Sequence, residues 1–128
     1  MKVQEVGMED RFEEMATILD DLVDELPQYY FRGLNGGVLF SREEMHDETY
    51  PELYIMGHYK SEPMGKSIVL YYGSFMALYG YESREGITER LKETLYHELT
   101  HHLETLAGEN DLVLEDAAFM ERHRREHE

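Results

Sequence analysis

Tyr96-His97-Glu98-Leu99-Thr100-His101-His102-Leu103-Glu104 is the stretch around which the rest of the chain is read. On an α-helix, residues four apart lie one above the other on the same face. The imidazoles of His97 and His101 can therefore converge on a single zinc ion. Glu98 lies one step round, where its carboxylate can reach a water at that ion without becoming a ligand, as a general base for hydrolysis must. At about 100° per residue, Leu95, Leu99, Leu103 and Leu106 form one stripe, and His97, His101 and Glu104 form the opposite one. Such a helix packs its apolar back on a core and presents a metal-capable front. His102 points away from the His97/His101 face and reads as a supporting or surface histidine. With seven His and 28 acidic residues in 128, a bare His-Glu-x-x-His can arise by chance on a solvated helix face. The separation of the two stripes sets this one apart.

The length, 128 residues, suits one domain spanning 1–128 with a core large enough to need no staples. The chain has no cysteine, so a disulfide frame and a thiolate zinc site are both excluded, and any metal must be held by His and carboxylates. There is no basic-plus-apolar N-terminal signal and no apolar run of about 18 residues, so a soluble, cytoplasmic protein is expected. A formal charge of −16 argues against nucleic-acid and anionic-membrane partners, which are polyanions, and would welcome a cationic one. The oligomeric state is left open.

Along the chain, residues 8–26 carry Phe12, Met15, Leu19, Leu22, Val23 and Leu26 at helical spacing, and Pro27 stops that helix. Asp20, Asp21, Asp24 and Glu25 read as its wet side. Asn35-Gly36-Gly37 reads as a turn, 38–40 as a short strand and 41–51 as polar and irregular, with His46, Asp47 and Glu48 solvated there. Residues 52–59 and 67–79 contain two β-like runs joined through 61–66, a hairpin with a loop longer than the tightest turns. The run Ile68-Val69-Leu70-Tyr71-Tyr72 is expected at the centre of a small sheet, whereas 75–79 suits a strand or a helical turn equally. A tyrosine of this region placed near the zinc would be able to donate a hydrogen bond to an oxyanion. Ser83 or Thr88 caps the motif helix, which is expected to end at Ala107 with Gly108 as its left-handed stop. Residues 112–114 then return to the core, a last helix begins near Glu115 and Asp116, and 122–128 frays.

A catalytic zinc takes three protein ligands and leaves a position for water. After the helix the candidates are Asp111, Glu115 and Asp116, with Glu104 on the helix itself. Gly108 is seven residues past His101, roughly 10 Å along the axis, so the chain must fold back to reach the metal. Asp111 manages this only if fully extended, Glu115 and Asp116 have more slack, and Asp116 is favoured. Glu104 suits a role orienting an imidazole better than ligation.

These residues resemble the small bacterial zincin-like metallopeptidases with a minimal zincin fold, whose motif runs His-Glu-x-x-His-His followed by a turn and an acidic residue. The likeness rests on the segment from His97 to Asp116. It implies an α+β domain in which a small sheet packs beside the active helix, and the pattern along the chain fills this in as an N-terminal helix, a small sheet with a hairpin, a long active-site helix carrying the motif and a C-terminal helix. It also implies a zinc peptidase with His97 and His101 as ligands and Glu98 as base. The better-known motif has Gly three residues after the second histidine and Asp three after that. Here those positions are Glu104 and Ala107, and Gly108 and Asp111 come four residues later.

The function expected is zinc-dependent hydrolysis of a peptide or protein substrate, with an edge strand beside the helix pairing with the extended peptide and 68–72 as the cleft wall. The alternative is a zinc-binding or protein-interaction module that turns over no peptide, motivated by the displaced acidic residue and the small size. A third reading is an acidic helix-and-hairpin domain with no metal.

Overall fold

The long apolar stripe of the motif helix builds the middle of the core. In the computed structural model, which describes residues 10–109, α3 (Arg84–Glu109) buries Ile87, Leu91, Leu95, Leu99 and Leu103 completely. Each such leucine is worth about 1.5–3 kcal/mol relative to exposure. Spacing of four residues along five positions keeps them on one side of the helix. They meet Met15, Ile18, Leu19 and Leu22 of α1 (Phe12–Glu25) and Ile68 and Leu70 of the sheet. Asp20, Asp21, Asp24 and Glu25 are exposed on the other side of α1. That helix begins later than 8–26 implied, with the Asp10 carboxylate accepting the Phe12 N–H at 2.9 Å.

A 3₁₀ turn (Gln28–Phe31) follows Pro27, and five strands come next: β1 (Gly37–Ser41), β2 (Met45–His46), β3 (Tyr54–Ile55), β4 (Gly57–Glu62) and β5 (Gly65–Tyr71). β1, β5 and β4 form a three-stranded sheet in that order, β1 parallel and β4 antiparallel to β5. β2 and β3 pair separately, so 41–51 is not wholly irregular. α2 (Tyr72–Tyr79) continues directly from β5, which decides between strand and helix for 75–79. The described chain is thus an α+β domain. Among the described residues no helix is long and apolar enough to cross a membrane. Residues 1–9 and 110–128, and with them the lead-in, the return at 112–114, the last helix and the full 1–128 boundary, lie outside the described residues.

Three expectations are corrected. The β4–β5 hairpin is tight: Glu62 pairs with Gly65 across Pro63-Met64 alone, because proline presets the first turn dihedral and Asn35 holds the tip through its carbonyl oxygen on the Lys66 N–H at 2.9 Å. Gly108 is no left-handed stop. It lies inside α3, which runs to Glu109, and the positive-φ glycines among the described residues are Gly33 and Gly37. Of the two proposed caps it is Ser83 that serves, its hydroxyl accepting the Gly86 N–H at 3.1 Å, while the Thr88 hydroxyl turns back to the Arg84 carbonyl. Finally, 68–72 cannot be a peptide-pairing edge, because β5 is hydrogen-bonded on both sides; among the described residues the edge strand beside α3 is β4.

β4 approaches α3 closely at Gly57, where a Cβ would sit 2.7 Å from Thr94 Cγ2 and 3.2 Å from the Val69 carbonyl oxygen. A glycine inside a strand pattern marks this kind of approach. Gly57→Ala is expected to cost about 1–3 kcal/mol through overpacking, read from urea denaturation, and an unchanged midpoint would refute the close contact.

Candidate functional site

His97 and His101, one turn apart on the exposed front of α3, bring their rings to 4.6 Å between centroids and 89° between planes. Their Nε2 atoms are 3.2 Å apart. As a hydrogen bond this is the N–H of one ring donated to the lone pair of the other. The same separation suits shared ligation: two nitrogens about 2.0–2.1 Å from one tetrahedral ion lie roughly 3.3 Å apart. The donor pair therefore fits a zinc ion.

Glu98, between them in sequence, turns inward and is only 7% exposed. Burial pushes its carboxyl above the ordinary value, against the opposing pull of His97, His101, His58 and the Tyr59 backbone. That direction is the one a proton-accepting group benefits from when it must later release its proton near neutrality. Glu98 also borders two adjoining hollows. The larger, of about 880 Å³, reaches it together with His101, His58 and Tyr71. The smaller, of about 390 Å³, reaches it together with His97, Thr94 and Gly57. A cleft thus extends to both sides of the Glu98 carboxylate.

The far wall is the segment 45–49, and it is latched in place. Ser74, fully buried in α2, accepts the Met45 N–H at 2.9 Å and donates to the Met45 carbonyl at 3.1 Å. Asp47 caps the turn that follows by accepting the N–H groups of Thr49 and Tyr50. His46 has both ring nitrogens engaged, by the Pro51 carbonyl at 2.7 Å and Glu44 at 2.8 Å. His46 and Asp47 are thus committed to wall structure, and Glu48 joins them in lining the cleft. The Glu44 carboxylate, followed by the Pro51 carbonyl, raises the His46 pKa above 6.5. A raised value means that the pairing favours the folded state fully below 6.5 and that this contribution fades as pH rises through the folded value. An NMR titration should place His46 above 6.5, and Glu44→Gln should bring it back down; a midpoint indifferent to that substitution would contradict the pairing.

Glu104, one of the ligand candidates, lies with Oε1 3.8 Å from His101 Nδ1, beside the ring nitrogen that does not face His97 and beyond hydrogen-bonding reach. Asp111, Glu115 and Asp116 lie outside the described residues. Among the described residues no group of three His, Asp or Glu side chains is gathered so as to hold a metal ion.

Of the two readings of His102, supporting or surface, the surface one is corrected. Far from the surface, it is fully buried. Its Nε2 is 2.8 Å from the Arg32 carbonyl and its Nδ1 is 2.8 Å from the Tyr59 hydroxyl. A carbonyl only accepts, so Nε2 carries the proton and Nδ1 accepts from the phenol. Burial, the largest influence, lowers the His102 pKa, as a neutral ring requires. This histidine ties the site helix to β4 and to the loop after the 3₁₀ turn. Residues not singled out from the sequence as site residues are Gly57, His58 and Tyr71, all contributed by the sheet; the glycine within the β4 run was the available signal.

No protein-family model matches the chain, and no curated protein matches it. Among solved structures it is similar to a conserved hypothetical protein (TTHA0227) from Thermo thermophilus, at 31% sequence identity and a TM-score of 0.70, over 77% of this chain and 99% of that one. With shared fold and nearly a third of the residues identical across almost all of that protein's length, the chain belongs to the same family as this conserved hypothetical protein.

Proposed function

We propose that the chain is a zinc-dependent metallopeptidase on a minimal zincin-like fold. The observation that carries this reading is the 3.2 Å convergence of the His97 and His101 Nε2 atoms beside a buried, proton-hungry Glu98. His97 and His101 would hold the ion with a third donor from beyond Glu109, Asp116 being the favoured candidate ahead of Asp111 and Glu115. Zinc bound there supplies Lewis-acid polarisation and makes water acidic enough to lose a proton near neutrality.

The protein's own residues do the rest. Glu98 takes the proton of the attacking water and then delivers it to the amine nitrogen as the peptide C–N bond breaks. β4, an edge of the sheet among the described residues, lies at the cleft, where an extended peptide can pair along it. Segment 45–49 closes the opposite side.

A zinc-binding or protein-interaction module without turnover is the second reading, favoured by the displacement of Gly108 and Asp111 from the better-known spacing. Incubation with a broad peptide library separates the two. Cleavage by the zinc-loaded protein that stops on chelation and returns with zinc is the expected result. A library left intact by zinc-loaded protein would favour the module, and cleavage that survives chelation would refute the metallopeptidase.

A further inference from the structure

Tyr71 closes β5 where the strand passes into α2. It is 4% exposed, yet unlike Ile68 and Leu70 of the same strand it is not part of the main apolar core. It lines the larger hollow with Glu98 and His101. Its hydroxyl makes no hydrogen bond with any described residue. Buried phenols ordinarily find a partner, and phenylalanine would pack here without leaving a polar group unpaired. The hydroxyl is therefore not spent on holding the fold, and its residue lines the cleft where a ligand would sit. Burial, followed by the nearby charges of Glu43 and Glu98, holds the phenol above its usual pKa, so it remains an O–H donor at neutral pH.

Hydrolysis at Glu98 creates a need for such a donor. As water oxygen bonds to the carbonyl carbon, the C=O π pair moves onto oxygen, and preorganised hydrogen bonds to that oxygen lower the barrier. We propose that Tyr71 is a catalytic residue that donates its hydroxyl hydrogen bond to the developing oxyanion, a role that rests on the peptidase reading above. Tyr71 keeps its proton throughout. When the pair returns to re-form C=O, the C–N bond breaks and the amine leaves with the proton carried by Glu98.

The test compares wild type and Tyr71→Phe, both zinc-loaded, on a peptide that the wild type cleaves and on a phosphinic peptide isosteric with it, whose tetrahedral oxyanion mimics the attacked carbonyl. The variant should lose roughly 10²-fold in kcat, in the range found for one oxyanion donor, with KM, zinc content and melting temperature unchanged. Its affinity for the phosphinic peptide should fall about tenfold or more, while affinity for the uncleaved amide in a Glu98→Gln background stays constant. Wild-type kcat and phosphinate affinity in Tyr71→Phe would overturn the role and leave the peptidase reading intact. So would a loss confined to KM or accompanied by a lower melting temperature, since either would mark the hydroxyl as structural or as a ground-state contact. A wild type that cleaves no peptide and binds no phosphinate overturns the peptidase reading and this role together.

Discussion

Glu98→Gln should keep its zinc and its fold and lose about 10²–10⁴-fold in kcat, the contribution of a positioned general base. The substitution preserves the shape of a side chain that is only 7% exposed and removes its capacity to hold a proton. Since burial already disfavours the charged carboxylate, a neutral amide in its place should leave the melting temperature unchanged or raise it, as expected where a functional group is held at some expense of stability. The three readouts must move differently for the account to stand: activity falls, metal content holds, stability holds or rises. Undiminished turnover would remove Glu98 from the mechanism. Loss of zinc along with activity would instead make Glu98 part of the binding set.

The second large effect is on stability. His102→Ala removes a fully buried ring and with it the hydrogen bonds that the ring shares with the Arg32 carbonyl and the Tyr59 hydroxyl. Cavity formation and the loss of both hydrogen bonds together should cost about 2–4 kcal/mol, a large share of the roughly 5–15 kcal/mol available to a domain. Tyr59→Phe, which takes the phenol from His102 Nδ1 and from its neighbours Thr105 and Ser61, should cost about 1–3 kcal/mol. Because Tyr59 and His102 share one hydrogen bond, the double variant should cost less than the two separate losses combined. Denaturant unfolding of the four proteins reads this directly. A His102→Ala variant as stable as wild type would mean that the ring does not bind helix, strand and loop together. His97→Ala, on the exposed face of the same helix, is the control and should leave stability of the metal-free protein nearly unchanged.

The contrast between these two histidines shows what the sequence could disclose. Helical periodicity is local: spacing of four residues alone placed His97 and His101 together and set the leucine stripe opposite them. The fate of His102 depends on Tyr59 and Arg32, which lie 43 and 70 residues away in sequence, and no local pattern carries that information. The same limit explains the misplaced cleft wall. A run as apolar as Ile68-Val69-Leu70 announces a central strand, but which neighbour forms the free edge depends on pairing order, and β4, with exposed His58, Lys60, Ser61 and Glu62, looks unremarkable until it is seen beside α3. At Gly108 a residue that commonly ends helices continues one, since a glycine in a helix costs only about 1 kcal/mol. The tight β4–β5 turn was obscured for a similar reason: the polar residues flanking Pro63-Met64 read as loop, although they belong to the strands. Asp111, Glu115 and Asp116 lie outside the described residues, so the choice among them rests on the chain-length reasoning that first favoured Asp116.

Zinc binding by His97 and His101 is read from metal content. Purified, untagged protein, His97→Ala and His101→Ala would each be measured for bound metal after equilibration with a modest excess of zinc and removal of loose ions. About one tightly held zinc per wild-type chain is expected, with its loss in each variant, as follows when two of three protein ligands are the histidines whose Nε2 atoms lie 3.2 Å apart. A wild type without zinc, or variants that retain it, would contradict the account.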